Sequence, residues 1–141
     1  MFKENILSET LSLAMVYPLY FNVASPEQAK AVAKELQKDF LKSGGLVTTL
    51  NDNGQQWDSP NGWPPHQWLA IRGLEKYGDN DLANSIKNRW LRLNDQVYKR
   101  TGKMLEKYNV TDTTLVAGGG EYPTQDGFGW TNGVYLDLKD N

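Results

Sequence analysis

Three stretches of this chain hold residue types that could do chemistry. The first is GQQWDSPNGWPPHQW, Gly54 to Trp68, which packs three tryptophans, three prolines, a carboxylate and a run of amides into fifteen residues. Trp57 and Trp63 offer flat apolar faces, and Gln55, Gln56, Asp58 and Asn61 offer donors and acceptors. A sugar has apolar C–H faces and a rim of hydroxyls. Aromatic platforms beside amides and a carboxylate suit it, because each polar group taken out of water needs a partner. The plainer reading gives Trp57 and Trp63 to loop packing, Asp58 to a turn before Ser59-Pro60, and Trp68 and His66 to the following helix. The second stretch is MLEKYNV, where Glu106 stands between Met104, Leu105 and Tyr108. A carboxylate in apolar company has its charged form disfavoured or must find a cation. That makes Glu106 a candidate general acid or base; the alternative is a surface Glu–Lys pattern on a helix end. The third is AGGGEYPTQDGFGW. Three glycines before Glu121 free the backbone for turns or close approach. No GxxxxGK[ST] pattern makes them a phosphate cradle, and Phe128 and Trp130 argue against a floppy loop.

The elements that must position these residues read as helices. Ile6, Leu7, Leu11, Met15 and Val16 have helical spacing, which Pro18 is expected to end. Ser25 is a natural N-cap with Pro26 at the first helical position; Ala29, Val32, Leu36 and Phe40 form one stripe. Gly44 and Gly45 are expected to close that helix. LVTTL, Leu46 to Leu50, is a strand or merely extended. A helix should start near Pro64 or Pro65 and end at Gly78. Another should run from Asp79 toward Arg100, with Leu82, Ile86, Trp90, Leu93 and Val97 on one face. A last short helix is expected over roughly 131–138, though a period of two competes there. Helical hairpins whose long loops hold the aromatics predict an all-α, α/α architecture with function at one end.

Bulk composition narrows the classes. A chain of 141 residues is the size of one ordinary domain, and 39% hydrophobic residues suffice for a core. A net charge of −2 with no basic stripe argues against nucleic acid as a partner. With no cysteine and one histidine, neither thiolate chemistry nor a zinc site is expected, and no metal or cofactor is called for. No apolar run is long enough to span a bilayer. Leu11–Phe21 follows Lys3, Glu4 and Glu9, net acidic where a signal peptide is basic, so an intracellular, cytoplasmic chain is expected.

QQWDSPNGW with a following QW pair, EKYNV, and GGGEYPTQDGFGWTNGV, in this order, resemble the C-terminal part of family 37 trehalases. These are inverting glycosidases that split α,α-trehalose into two glucoses. LYFNVAS and GGLVTTL extend the resemblance upstream. It implies an (α/α)6 barrel of six helical hairpins, of which this chain would be one C-terminal fragment spanning residues 1–141. It implies Glu106 as general base, Glu121 as an acid binding sugar hydroxyls, and Gln56, Trp57, Asp58, Asn61 and Trp63 as the wall of the sugar subsites. Phe128 and Trp130 match the aromatic end of the glycine-rich motif. Three glycines stand where relatives often have four or more, and Pro64-Pro65 replaces a common Ala-Pro. Nothing in these residues matches the family's general-acid aspartate motif or its sugar-binding arginines. The implied partners are trehalose or glucose, an N-terminal trehalase chain that completes the barrel, and further copies of this chain through exposed helix faces. The chain alone is expected to be inactive. The competing expectation is a non-catalytic carbohydrate-binding or structural helical module.

Overall fold

The computed structural model describes residues 10–118 and 122–140. Ser12 caps a 3₁₀ turn, Leu13–Val16, that runs into α1, Tyr17–Tyr20. The expected stop at Pro18 is thus corrected: the proline lies in the first turn of α1, where its missing N–H costs nothing. Of that expected helical pattern, Met15 and Val16 lie in the 3₁₀ turn, Leu11 precedes it outside any helix and is exposed, and Ile6 and Leu7 lie outside the described residues. Helix α2, Pro26–Glu35, begins with a capping box: the Ser25 hydroxyl accepts from Gln28 N, and the Gln28 side chain accepts from Ser25 N. It ends through one π turn, Leu36–Phe40, not at Gly44-Gly45. Ser43 and Gly44 instead turn an antiparallel pair, β1 (Leu41–Lys42) with β2 (Gly45–Leu46), which Gly45 opens.

The hairpin's glycine is required by close approach. Gly45 has φ +135°, and a Cβ there would meet Gln67 Oε1 at 2.7 Å. The amide of the fully buried Gln67 bonds both backbone groups of Leu46, accepting from N at 2.8 Å and donating to O at 2.7 Å. It thereby ties β2 to α3, Pro64–Lys76, which starts at the expected prolines and stops before Gly78 at φ +80°. Asp79 caps α4, Asn80–Thr101, whose Leu82, Ile86, Trp90, Leu93 and Val97 are all buried as the period requires. Helix α5, Gly129–Asp140, closes the chain.

The α3–α4 hairpin is the centre, with α1 on one flank of α3 and α5 packed against both helices. One apolar core runs from Leu13 and Leu19 through Ile71, Leu74, Ile86 and Trp90 to Leu138. A second antiparallel pair, β3 (Asn61–Gly62) with β4 (Tyr108–Asn109), matters most for function. It sets the tryptophan loop directly against the segment that carries Glu106. Gly62 is needed there: a Cβ would sit 2.7 Å from Leu46 O and 2.6 Å from Val110 Cγ1.

Candidate active site

Glu106 is not on a helix, and it is not a surface Glu–Lys pattern. Residues 105–110 are all buried, and Glu106 keeps only 4% of its surface. The main chain around it is clamped by the segment that follows the glycine run. Glu106 N donates to Gln125 O at 2.9 Å, and the Trp130 indole N–H donates to Glu106 O at 3.1 Å. Thr131 Oγ1 donates to Leu105 O at 2.6 Å, and Leu105 bridges to Asp126. Tyr108, whose hydroxyl accepts from Leu105 N at 2.9 Å, has its pKa pushed up to about 12 by burial. Residues 125–131, which include the motif GFGWT, therefore supply the hydrogen bonds that hold the Glu106 loop.

Among the described residues the carboxylate itself has two hydrogen-bond partners. Lys107 Nζ donates to Oε2 at 3.1 Å, and the Tyr122 hydroxyl donates to Oε1 at 3.0 Å. Lys107 is fully buried beside the Trp63 ring.

The tryptophan loop forms a continuous aromatic row. Trp57 stacks on Trp63 with centroids 3.7 Å apart and planes within 5°. Trp130 meets Trp63 edge-on at 5.7 Å, and Phe128 leans on Trp130 at 4.8 Å. On the other side His66 stands edge-on to Trp57, with Tyr17 beyond it. Trp63 is buried, whereas Trp57 is 42% exposed and caps the stack toward solvent. The row is anchored by the Gln56 carbonyl, which accepts from Trp63 Nε1 at 3.0 Å and from Asn61 Nδ2 at 3.3 Å. Asn61 Nδ2 also donates to Gly118 O at 2.6 Å, reaching the edge of the glycine run. The side-chain oxygens of Gln56 and Asn61 are buried with no hydrogen-bond partner among the described residues.

Of the residues picked from sequence, Gln56, Trp57, Asn61, Trp63, Glu106, Phe128 and Trp130 thus come together. Asp58 is drawn into the loop's own frame: it accepts from Thr49 Oγ1 at 2.6 Å, just before the cis Ser59–Pro60 bond. Glu121 lies outside the described residues. Trp68 sits on α3 as expected and donates to Asp137, away from the stack. Lys107, Tyr122 and Thr131 are what sequence reasoning missed; the only signal for Lys107 was its place beside Glu106. Among the described residues no group of three His, Cys, Asp or Glu could hold a metal ion.

The helices and their loops are similar in structure to parts of trehalase and GH63 proteins of the (α/α)6 barrel class. The neutral trehalase Nth1 of Saccharomyces cerevisiae superposes with a TM-score of 0.78 at 30% identity, over 94% of this chain and 24% of that one. A GH63 mannosylglycerate hydrolase from Thermus thermophilus shares the fold at a TM-score of 0.67 and 23% identity, over 92% of this chain and 29% of its own.

Within that class the sequence is specific. The Trehalase family profile matches residues 2–141, and the chain belongs to the trehalase family. It is 48% identical over 138 residues to the periplasmic trehalase of Salmonella paratyphi B, and 47% identical over 138 residues to that of Salmonella paratyphi C. Those alignments take in 98% of this chain and 24% of each relative, so the chain spans about a quarter of their length. These relatives are named as periplasmic enzymes, which does not support the expected cytoplasmic location. Among the described residues no helix is long and apolar enough to cross a membrane.

Proposed function

We propose that this chain supplies the base half of a trehalase active site. Glu106 takes a proton from a water as that water attacks the anomeric carbon of one glucose. The glycosidic C–O bond breaks on the opposite face, and the second glucose leaves with a proton from a general acid. Inversion needs those two carboxyl groups about 6.5–9.5 Å apart, with room for the water between them. No residue in this sequence matches the family's acid, so the acid comes from the remainder of the barrel. The chain alone holds sugar without turning it over.

The observation that carries this reading is the burial of Glu106 against the indole wall. Its backbone carbonyl accepts from Trp130, which touches Trp63, which stacks on Trp57. The side-chain oxygens of Gln56 and Asn61, unpartnered among the described residues, are acceptors suited to sugar hydroxyls. Glu121, close in sequence to Tyr122, adds a second acid that binds hydroxyls. Asp58 stiffens the wall, and Phe128 backs Trp130.

The test is complementation. The chain, mixed with a polypeptide holding the rest of the barrel, is assayed for glucose release from trehalose. Activity should require both parts, and Glu106→Gln in the mixture should lower kcat by about 10²–10⁴. Full activity in that variant removes Glu106 from the mechanism.

A further inference from the structure

The residue beside the base is a lysine withdrawn from water. The side chains of Lys107 and Glu106 keep 0% and 5% of their surface, and Nζ lies 3.1 Å from Oε2. The ammonium also lies 5.3 Å from the Trp63 ring centroid and 5.2 Å from that of Tyr122. Two ring faces and one carboxylate oxygen therefore surround it, which is how a desolvated cation is held without bulk solvent. Tyr122, itself 41% exposed, donates to the other carboxylate oxygen at 3.0 Å.

Stability does not account for this arrangement. A buried ion pair seldom outperforms apolar side chains of the same volume. Its geometry does something a greasy pair could not. With one donor on each oxygen, the carboxylate plane is fixed in rotation. Each carboxylate oxygen has about two lone-pair sites, so each keeps one for a water or a sugar hydroxyl.

We propose that Lys107 and Tyr122 are the positioning residues of Glu106: together they aim its free lone pairs at the space in front of the tryptophan wall. Both act through the carboxylate, Lys107 at Oε2 and Tyr122 at Oε1. The same cage couples the wall to the base, since Trp63 is both a face of the cage and the centre of the aromatic stack. A sugar that presses on the exposed Trp57 thus bears, through its stack on Trp63, on the group that holds the carboxylate. This inference rests on Glu106 being the base.

Two measurements test it. In the 141-residue chain, the ring currents of Trp63 and Tyr122 should move the Lys107 ε-methylene protons upfield in NMR spectra. Glu106→Gln and Tyr122→Phe should each return them toward ordinary lysine shifts. In the complemented barrel, Lys107→Met should lower kcat by about 100-fold, the typical effect of misplacing a catalytic group by about 1 Å, while KM for trehalose moves by about twofold or less. Tyr122→Phe should lower kcat by about tenfold with the same unchanged KM, and its exposure means that it folds whether or not Lys107→Met does. Equal kcat per folded molecule in the variants overturns the proposal, as does a KM that rises in step with the loss. If the unsubstituted mixture releases no glucose, the base assignment falls. The spectra then decide the lock alone: shifts that persist in Glu106→Gln overturn it, and shifts that collapse uphold it.

Discussion

At the scale of single residues, the site separates side chains whose role is legible from type and side chains whose role depends on neighbours distant in sequence. The indoles of Trp57 and Trp63 are in the first group only as stacking faces, and Lys107 is in the second. A lysine after a glutamate reads as solvated charge until the Trp63 and Tyr122 rings are known to enclose it. His66 shows the same dependence. Its ring is held between Tyr17 and Trp57, and burial pulls its pKa below the ordinary imidazole value. The folded protein therefore takes up this proton less readily than the unfolded chain. Above an unfolded value of about 6.5 neither state is protonated and the full stability is present. As pH falls through that value, the unfolded state gains a proton that the folded state resists, and stability is lost. His66 is the only histidine in the sequence, so no other imidazole contributes to the slope. Urea unfolding midpoints should hold level above about pH 7.5 and fall toward pH 5.5, and His66→Gln should flatten that fall. An unchanged slope in the variant assigns it to other groups.

Among the elements, α5 joins fold to site. Its first turn carries Trp130 and Thr131, which hold the Glu106 loop, and its last turn carries Asp137. The Asp137 carboxylate accepts from Arg72 Nη2 at 2.6 Å and from Trp68 Nε1 at 2.7 Å, both on α3. The Arg72 guanidinium, with the Trp68 indole, holds this carboxyl below its usual range. Its contribution is present above the unfolded value of about 3.9 and fades as pH drops below it. The side chain is 42% exposed, so screening limits the ion pair to about 1 kcal/mol or less. Asp137→Asn should destabilise the chain by about that amount at neutral pH. The loss should appear first as faster amide exchange in α5, with α4 unaffected. Equal exchange in both helices would mean that α5 does not move as a unit.

The long helices were legible because α4 repeats its apolar residues over 22 positions, and α3 is bracketed by Pro64 and Gly78. The sheets were not. Strands of two residues, such as Asn61–Gly62 and Tyr108–Asn109, carry no alternation to detect, yet that pair brings the wall to the base. Gly44-Gly45 gave the right punctuation and the wrong element. A pair of glycines ends a helix or turns a hairpin equally well, and the π turn at Leu36–Phe40 decided between them. The burial of Glu106 was legible because its apolar neighbours are adjacent in sequence, whereas the groups that bond to it come from residues 122–131.

Taken as a whole molecule, the described residues share one apolar core. The α3–α4 hairpin buries its apolar faces against α1 and α5, so the chain should fold without help. The first helical segment tells a different story. Tyr17, Phe21 and Val23 are 40%, 63% and 72% exposed, within seven residues of one another. Soluble monomers rarely leave large apolar patches open. The chain spans 24% of the length of the relatives it matches, and we propose that the remainder of a six-hairpin ring packs on this face. In the proposed complex those side chains meet the remainder of the barrel; in its absence they meet other copies. Sedimentation of the lone chain should show concentration-dependent association. The double variant Phe21→Ser, Val23→Ser should sediment as a monomer and keep its helical circular dichroism. The same variant should bind the complementing polypeptide more weakly and yield less trehalose hydrolysis at subsaturating concentrations, with kcat recovering at saturation. A lone chain that stays monomeric at every concentration, and a double variant that complements as well as the original, would together place the ring contact on another face.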